Sequence, residues 1–227
     1  MSFSRSLKEY SRVAWEDGYR HPFVRELGRG TLARERFKFY MLQDYKYLLS
    51  YAGVFALGAL KSDTEYLMSR FTYSQNKILN GEMDIHRAYM RELGISASEI
   101  ASAKPSLYNR AYTSNMLAAG HDGGVAEIIA VIFPCAWTYH DYATRLAEDY
   151  SGELEGNFYR PWIEGYASDD FRKSFEWFYD ALDEACQYKS EAELERIREL
   201  FASSVEFEYL FWDMSYDMRM SYKMAPR

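Results

Sequence analysis

The sequence predicts an all-α fold, a single-domain helical bundle spanning residues 1–227, and three observations support that prediction. Apolar residues recur at helical spacing through most of the chain, and residues typical of helix starts and stops separate these segments. No Asn-Gly or Asp-Gly pair lies between two strand-like runs. No repeat, linker or low-complexity tract divides the chain, which at 227 residues is long enough for one substantial core.

The individual elements follow from their start and stop residues. Thr31 is a candidate N-cap for a long helix that is apolar on most sides, and Gly94 is a candidate C′ residue. Ser190 and Glu193 have the spacing of a capping box at the start of the last helix. We therefore expect about eight to ten helices. They cover about residues 3–18, 22–28, 31–61, 62–93, 105–120, 125–146, 157–167, 168–189 and 190 to beyond 212.

Composition excludes several classes of function. The net charge of −7 argues against a DNA-binding face, which needs clustered lysines and arginines. No apolar run reaches the roughly 18 residues of a membrane span, so no membrane partner is expected. With two cysteines, no CxxC pair and no apolar N-terminal region, we expect a reducing, cytoplasmic setting. The 21 tyrosines suggest either a packing layer or a cavity lined by rings with hydroxyl tips.

The most apolar continuous stretch, residues 125–146, contains Pro134 followed directly by Cys135. A proline inside a helix removes an amide donor and clashes with the preceding turn, so this helix is predicted to kink or break. Cys135 would then lie at the start of a new segment, where free amides and the helix dipole favour a thiolate. The alternative is that Cys135 is a small buried hydrophobe, as most buried cysteines are.

Two acids lie on apolar helix faces. Asp44 shares a face with Tyr47 and Tyr51, and it either bonds a buried partner or contacts a ligand. Glu208 shares a face with Phe211, and burial there would raise its pKa enough to move protons near neutrality. For both acids the local sequence pattern is compatible with a functional role and with a purely structural one.

Other patterns are absent or uninformative. None of the four histidines has a Glu three residues before it, and no phosphate-binding glycine motif occurs, so we expect no metal and no cofactor. His86 is interpreted as a hydrogen-bonded structural histidine. One thiol, two buried acids and several tyrosines together suggest a pocket for a flat, nitrogen-rich ring.

Five separated segments resemble the TenA family, also called thiaminase II or aminopyrimidine aminohydrolase. They are HPFVRELGRGTL, LQDYKYLLSYA, AYTSNM, AEIIAVIFPCAWTY and FEYLFWDMSY, in the family's order and over nearly the whole chain. The resemblance implies a haem-oxygenase-like fold and a homotetramer. It also implies hydrolysis of 4-amino-5-aminomethyl-2-methylpyrimidine to the hydroxymethylpyrimidine and ammonia, in thiamine salvage, and cleavage of thiamine with the thiazole as leaving group.

The same resemblance assigns a role to each matching residue. Cys135 is the nucleophile, Glu208 the proton donor, and Tyr47 increases the nucleophilicity of the thiol. Asp44 binds the ring nitrogen and the 4-amino edge of the pyrimidine. The remaining substrate-binding residues are Tyr112, Tyr139 and Tyr166.

Two alternatives stay open at this point. One is a helical ligand-binding or regulatory protein without hydrolase activity, although no basic stripe occurs outside the short tail from Arg219 to Arg227. The other is a different small-molecule enzyme on the same fold, which would need bases or metal ligands where this chain has tyrosines.

Overall fold

The computed structural model describes residues 2–221, which are helical with no strand in that range. The all-α prediction is confirmed. The helices are α1 (Phe3–Tyr10), α2 (Arg12–Arg20), α3 (Pro22–Arg29), α4 (Arg34–Lys61), α5 (Glu65–Lys77), a π-helical turn (Ile78–Glu82), α6 (Met83–Glu92), α7 (Ala97–Ser102), α8 (Leu107–Asp122), α9 (Val125–Asp149), α10 (Arg160–Ala167), α11 (Asp169–Phe175), α12 (Trp177–Cys186) and α13 (Glu191–Asp217). Within residues 2–221 none of these helices has the length and apolar character needed to cross a membrane.

The described part of the chain has more helices than the eight to ten predicted. The predicted first helix is interrupted at Ser11, and the one over residues 168–189 is interrupted at Glu176. The additional helix α7 begins with a capping box in which the Ser96 hydroxyl accepts from Glu99 N–H and the Glu99 carboxylate accepts from Ser96 N–H. The spacing of Ser96 and Glu99 is the sequence signal of this capping box, and our prediction did not include the helix.

The long helix α4 begins three residues later than expected. Its N-cap is Ala33, not Thr31, because the backbone N–H of Thr31 bonds the carbonyl of Glu26 in the preceding turn. Helix α3 ends at Gly30 with a φ of 73°, a left-handed conformation that glycine adopts without steric cost. Gly94, the predicted C′ residue of α6, has a φ of 66°.

Helix α9 lies at the centre of the molecule and packs against α4, α8, α10, α12 and α13. Residues 126–134 are all buried, and from Ile128 to Pro134 every one of them is apolar, as expected for a helix that is buried on all sides. Helices α4 and α5 approach closely at Gly58, where an added Cβ would lie 2.4 Å from the Phe71 ring. The core therefore fixes α9, α4 and α13 relative to one another, and these helices carry the thiol and both candidate acids.

Of the two outcomes predicted at Pro134, a kink or a break, the break is wrong. Helix α9 continues from Val125 to Asp149 with the proline inside it, so Cys135 does not lie at the start of a new segment. Burial on all sides stabilises the helical path and offsets the missing hydrogen bond, which costs about 3 kcal/mol. One nearby carbonyl, that of Ile132, accepts a hydrogen bond from the Tyr51 hydroxyl at 2.9 Å. The helix dipole therefore gives no special stabilisation to a Cys135 thiolate.

Candidate active site

A cavity of about 930 Å³ lies beside α9, and residues of α5, α6, α10 and α11 also line it. Cys135 reaches it from α9 and is partly exposed there. The inner wall includes His86, Tyr139 and Tyr166, whereas the outer wall includes the exposed Tyr73. A solvent-accessible, aromatic-lined cavity of this size suits a small organic ligand.

The thiol and the first acid meet behind the cavity wall, since Cys135 lines the cavity whereas Glu208, Asp44 and Tyr47 are buried and do not. The Cys135 thiol interacts with the Glu208 carboxyl from α13 and with the Tyr47 hydroxyl from α4. Glu208 is 2% exposed, and its Oε1 accepts a hydrogen bond of 2.7 Å from the hydroxyl of Tyr112 on α8. Tyr47 stacks beside Tyr51 with ring centroids 5.4 Å apart. Helices α4, α8 and α13 thus place Tyr47, Tyr112 and Glu208 near the thiol that α9 carries.

Both titrating groups of this inner cluster prefer their neutral forms. Burial raises the pKa of Glu208 to about 8, and the charge of Asp44 adds to the shift while the hydrogen bond from Tyr112 opposes it. Burial also raises the pKa of the Cys135 thiol well above its ordinary value, and the charge of Glu208 adds to that increase. Tyr47 opposes it by hydrogen bonding. The expectation of a thiol already primed as a thiolate is therefore wrong for the unliganded site.

The second acid has a different environment. Asp44 is 3% exposed, and its Oδ2 lies 2.5 Å from Nε2 of His86 on α6. The same oxygen accepts a hydrogen bond of 3.1 Å from the Tyr40 hydroxyl. Asp44 is therefore held from two sides, by a residue on its own helix and by one from α6.

The contacts of His86 determine its protonation. Its Nδ1 lies 3.0 Å from the backbone carbonyl of Glu82, and because a carbonyl only accepts, Nδ1 carries a hydrogen. Burial disfavours the charged imidazole, but the hydrogen bond and charge of Asp44 outweigh it and raise the pKa of His86. The raised pKa of His86 favours its imidazolium form opposite the Asp44 carboxyl, and in that form both ring nitrogens donate.

The two predicted pocket tyrosines lie next to each other on the cavity wall. The ring of Tyr139 contacts that of Tyr166 edge-to-face with centroids 4.9 Å apart, and its hydroxyl lies 3.2 Å from that of Tyr40. Tyr166 donates a hydrogen bond of 2.7 Å to Glu82. His140, one turn after Ala136, donates from Nδ1 to the carbonyl of Tyr166 at 2.8 Å and so ties α10 to α9.

The structure brings all seven predicted site residues into one region, although not all of them line the cavity. Cys135, Tyr139 and Tyr166 line it, whereas Tyr112 supports Glu208 from behind and is 1% exposed. Cys186 is buried in α12, consistent with a purely structural residue.

Sequence reasoning missed His86 and Glu82 as members of the site. His86 is hydrogen-bonded as expected, but to Asp44, while the neighbouring Asp84 pairs with Arg87. Glu82 lies in the π-helical turn, a local geometry often found at functional sites. The signal was their spacing of four residues, which places two ionisable groups on one helix face. The Glu-x-x-His metal motif has a spacing of three residues, so that motif does not reveal Glu82 and His86, which are four residues apart.

The sequence matches the TENA/THI-4/PQQC family over residues 10–218. The chain belongs to this family. It is 43% identical over 216 residues to an aminopyrimidine aminohydrolase of Helicobacter pylori, covering 95% of this chain and 99% of that protein. It is 41% identical to a protein of the same name from Halalkalibacterium halodurans, covering 97% of this chain and 98% of the relative.

The fold agrees with solved members of the same family. A TenA homologue from P. horikoshii OT3 superposes with a TM-score of 0.85 at 27% identity, over 96% of this chain and 99% of that one. The predicted resemblance to the TenA family, with its haem-oxygenase-like helical fold, is confirmed.

Proposed function

We propose that this protein hydrolyses 4-amino-5-aminomethyl-2-methylpyrimidine to 4-amino-5-hydroxymethyl-2-methylpyrimidine and ammonia by covalent catalysis at Cys135. The observation that carries the proposal is the placement of Cys135 on the cavity wall beside the buried Glu208, whose Oε1 accepts from Tyr112 at 2.7 Å, with the Asp44–His86 pair close by. We also propose that thiamine is cleaved at the same site, with the thiazole as leaving group. The reaction would serve thiamine salvage.

The broader prediction of an enzyme is confirmed. Three relatives that are 34–43% identical over nearly the full chain are named aminopyrimidine aminohydrolases, which are hydrolases. Hydrolysis in thiamine salvage is thus the activity that the family membership supports. The cysteine chemistry and the cleavage of thiamine are our inferences from the site.

The first step forms a bond between the Cys135 sulfur and the ring carbon beside N1. In this step the protonated Glu208 carboxyl donates its proton to N1 while its other oxygen accepts the thiol proton, so no charge accumulates on the sulfur. A pKa of about 8 lets Glu208 act both as base and as acid near neutrality. The raised pKa of Cys135 fits this order, because the thiol loses its proton only when the carbon–sulfur bond forms.

The second step breaks the carbon–nitrogen bond at the 5-methylene. The substrate's aminomethyl group enters as its ammonium form, so the electron pair of the breaking bond leaves with the nitrogen as neutral ammonia, and an exocyclic double bond forms on the ring. The hydroxyl of a water molecule then adds to that double bond, and its remaining proton is released to solvent. The carbon–sulfur bond breaks, and Glu208 returns the N1 proton to the sulfur. Covalent addition thereby divides one difficult displacement at carbon into easier steps.

Asp44 holds the amino edge of the ring in this proposal. The imidazolium of His86 and the hydroxyl of Tyr40 both bond Oδ2 of Asp44. Oδ1 therefore stays available to accept hydrogen bonds from the 4-amino group. Tyr139 and Tyr166 form an aromatic wall beside Cys135, which suits a flat ring.

We further propose that the protein is a homotetramer and acts in the cytoplasm. Leu60, Tyr66 and Met68 are 77%, 62% and 47% exposed near the start of α5, and such side chains are suited to contacts between subunits. Light scattering in solution would test the assembly, and a monomer at micromolar concentration would contradict it.

The experiment that tests the activity is incubation of the purified protein with the aminomethylpyrimidine. We expect stoichiometric ammonia and the hydroxymethyl product. The Cys135→Ser variant, which keeps a side chain of similar size, is the matched control and should form neither. Absence of product with the unmodified protein would contradict the proposal.

A further inference from the structure

The outer half of the cavity is larger than the proposed substrate requires. The aminomethylpyrimidine has about ten non-hydrogen atoms, whereas cavities at the upper end of the usual range of about 300–1,000 Å³ hold drug-sized ligands. This cavity has a volume of about 930 Å³. The space beyond Cys135 and Tyr139 therefore remains for whatever group is attached to the 5-methylene.

Three cations line that outer half in a protein whose net charge is −7. They are Arg70 and Lys77 on α5 and Lys173 on α11. None of the three forms an ion pair with any residue in the described range 2–221, whereas Arg172, next to Lys173, pairs with two carboxylates. Among the acids that line the cavity, Asp170 is the one nearest in sequence to these cations, three residues before Lys173. The cations therefore exceed the acids at the cavity mouth.

Two buried polar atoms in the same region have no hydrogen-bond partner. The Ser74 side chain lines the cavity at 9% exposure, and its hydroxyl makes no hydrogen bond within the described residues. Nε of Arg70, one turn earlier, is also buried and unpaired. Buried polar groups are almost always satisfied, so the unpaired Ser74 hydroxyl and Arg70 Nε on one cavity wall indicate a missing partner.

The spacing of these residues gives the wall a defined chemistry. Arg70, Ser74 and Lys77 lie four and three residues apart and so occupy one face of α5. The ring of Tyr73 supports two of them, with the Arg70 guanidinium carbon 6.0 Å and the Lys77 ammonium 5.5 Å from its centroid. A guanidinium, a hydroxyl and an ammonium on one face match the oxygens of a phosphate group.

We propose that this wall is a phosphate subsite, so that the enzyme binds and cleaves pyrimidines whose leaving group carries a phosphate ester, such as phosphorylated thiamine. The proposal extends the function given above and depends on it. In thiamine the leaving thiazole carries a hydroxyethyl arm, and the phosphate esterifies that arm.

The chemistry of cleavage stays that of the inner site. The bond between the 5-methylene and the thiazolium nitrogen breaks, and its electron pair leaves with the nitrogen, which becomes neutral. Water supplies the oxygen of the hydroxymethyl product and releases one proton. The phosphate ester remains intact on the thiazole, and the wall formed by Arg70, Ser74 and Lys77 contributes binding without taking part in bond breaking.

The test is calorimetric binding of thiamine and thiamine monophosphate to the Cys135→Ser variant, in which turnover is suppressed. We expect the phosphate ester to bind at least about tenfold more tightly than thiamine, in line with one or two charge-assisted hydrogen bonds. Adding Arg70→Gln and Lys77→Gln should remove that preference and leave the affinity for thiamine within about twofold. Ser74→Ala alone should reduce the preference by a smaller factor.

The matched control is Arg196→Gln, which removes an exposed cation on α13 that does not line the cavity and should leave the preference unchanged. Equal affinity for thiamine and its phosphate ester would overturn the subsite, as would a preference that survives the double neutralisation. Failure of the unmodified enzyme to release ammonia from the aminomethylpyrimidine would instead overturn the proposed function. Because the binding measurement needs no turnover, the two failures are distinguishable.

Discussion

The two buried acids of the site illustrate how partners set the chemistry of a carboxylate. Asp44 and Glu208 are 3% and 2% exposed, so burial alone does not distinguish them. Asp44 contacts the imidazolium of His86, whereas Glu208 contacts the neutral hydroxyl of Tyr112 and, within residues 2–221, has no cationic partner. Glu208 consequently has a pKa of about 8 and can carry a proton. Asp44 instead lies beside His86, whose raised pKa favours a cation next to the Asp44 carboxyl.

This contrast separates positioning from proton transfer within one cavity. A carboxylate that must bind an amino edge benefits from a fixed negative charge, and a buried imidazolium supplies the compensation that such a charge needs. A carboxyl that must both accept and donate protons benefits from a pKa near the working pH. Substitutions of the thiol, of the two acids and of their partners test this contrast, and the expected effects decrease from the thiol to the Tyr112 hydroxyl.

Removing the thiol should have the largest effect. For Cys135→Ser we expect kcat to fall by at least about three orders of magnitude, because the covalent intermediate no longer forms. Steady-state ammonia release measures this effect. Turnover near that of the unmodified protein would refute the covalent mechanism, whichever roles the two acids have.

Neutral replacements of the two acids should differ in kind. For Glu208→Gln we expect kcat to fall by about 10²- to 10⁴-fold, with a smaller rise in KM, because proton transfer is lost. For Asp44→Asn we expect the larger change in KM, by about 10- to 100-fold, because the hydrogen bond that the 4-amino group donates to a charged acceptor is lost. The same kinetic assay measures both variants, and reversed patterns would exchange the two assignments.

Removing the imidazolium tests the first half of the contrast through stability. For His86→Gln we expect the free energy of unfolding to fall by about 3–5 kcal/mol at pH 6, because Asp44 loses its buried cation. The pKa of His86 is raised above 6.5 in the fold, so this contribution is fully present below pH 6.5 and is lost as the pH rises through the folded value. Urea unfolding at several pH values measures it. The double variant with Asp44→Asn should recover part of the loss, and additive losses would show that the pair is not coupled.

Removing the Tyr112 hydroxyl should have the smallest effect. For Tyr112→Phe we expect the pKa of Glu208 to rise further, because the hydrogen bond that stabilises its carboxylate is lost. The falling limb of kcat/KM against pH should move to higher pH, with a stability loss of about 1 kcal/mol. Tyr159→Phe is the matched control, because Tyr159 is a buried tyrosine whose hydroxyl bonds the Leu32 carbonyl. It should lose similar stability without moving the limb.

Local sequence pattern predicted the parts of this site that depend on helix faces. The apolar surroundings of Glu208 indicated a buried acid with a raised pKa, and the structure agrees. The approach of Asp44 to His86 could not be predicted in this way, because the two residues are 42 positions apart on different helices. Periodicity identifies which face is buried, but it does not identify what that face contacts.

The incorrect expectation at Pro134 has a similar physical cause. Local propensity disfavours proline inside a helix, but residues 126–134 are buried on all sides, and packing maintains the helix through the proline. The π-helical turn at Ile78–Glu82 also follows from tertiary context, since Glu82 bonds both Tyr166 and His86. At both Pro134 and the π-helical turn, contacts with other parts of the fold, and not local propensity alone, account for the backbone conformation.

The central claim is that burial keeps Glu208 as a proton carrier beside Cys135, and an infrared titration tests it most directly. The carbonyl stretch of a protonated carboxylic acid is recorded against pH, and the spectrum of Glu208→Gln is subtracted at each pH to isolate this residue. We expect a protonated carboxyl band at pH 6 and pH 7 that disappears with a midpoint near pH 8. A difference spectrum without that band at pH 6 would mean that Glu208 is already ionised, and would contradict the account.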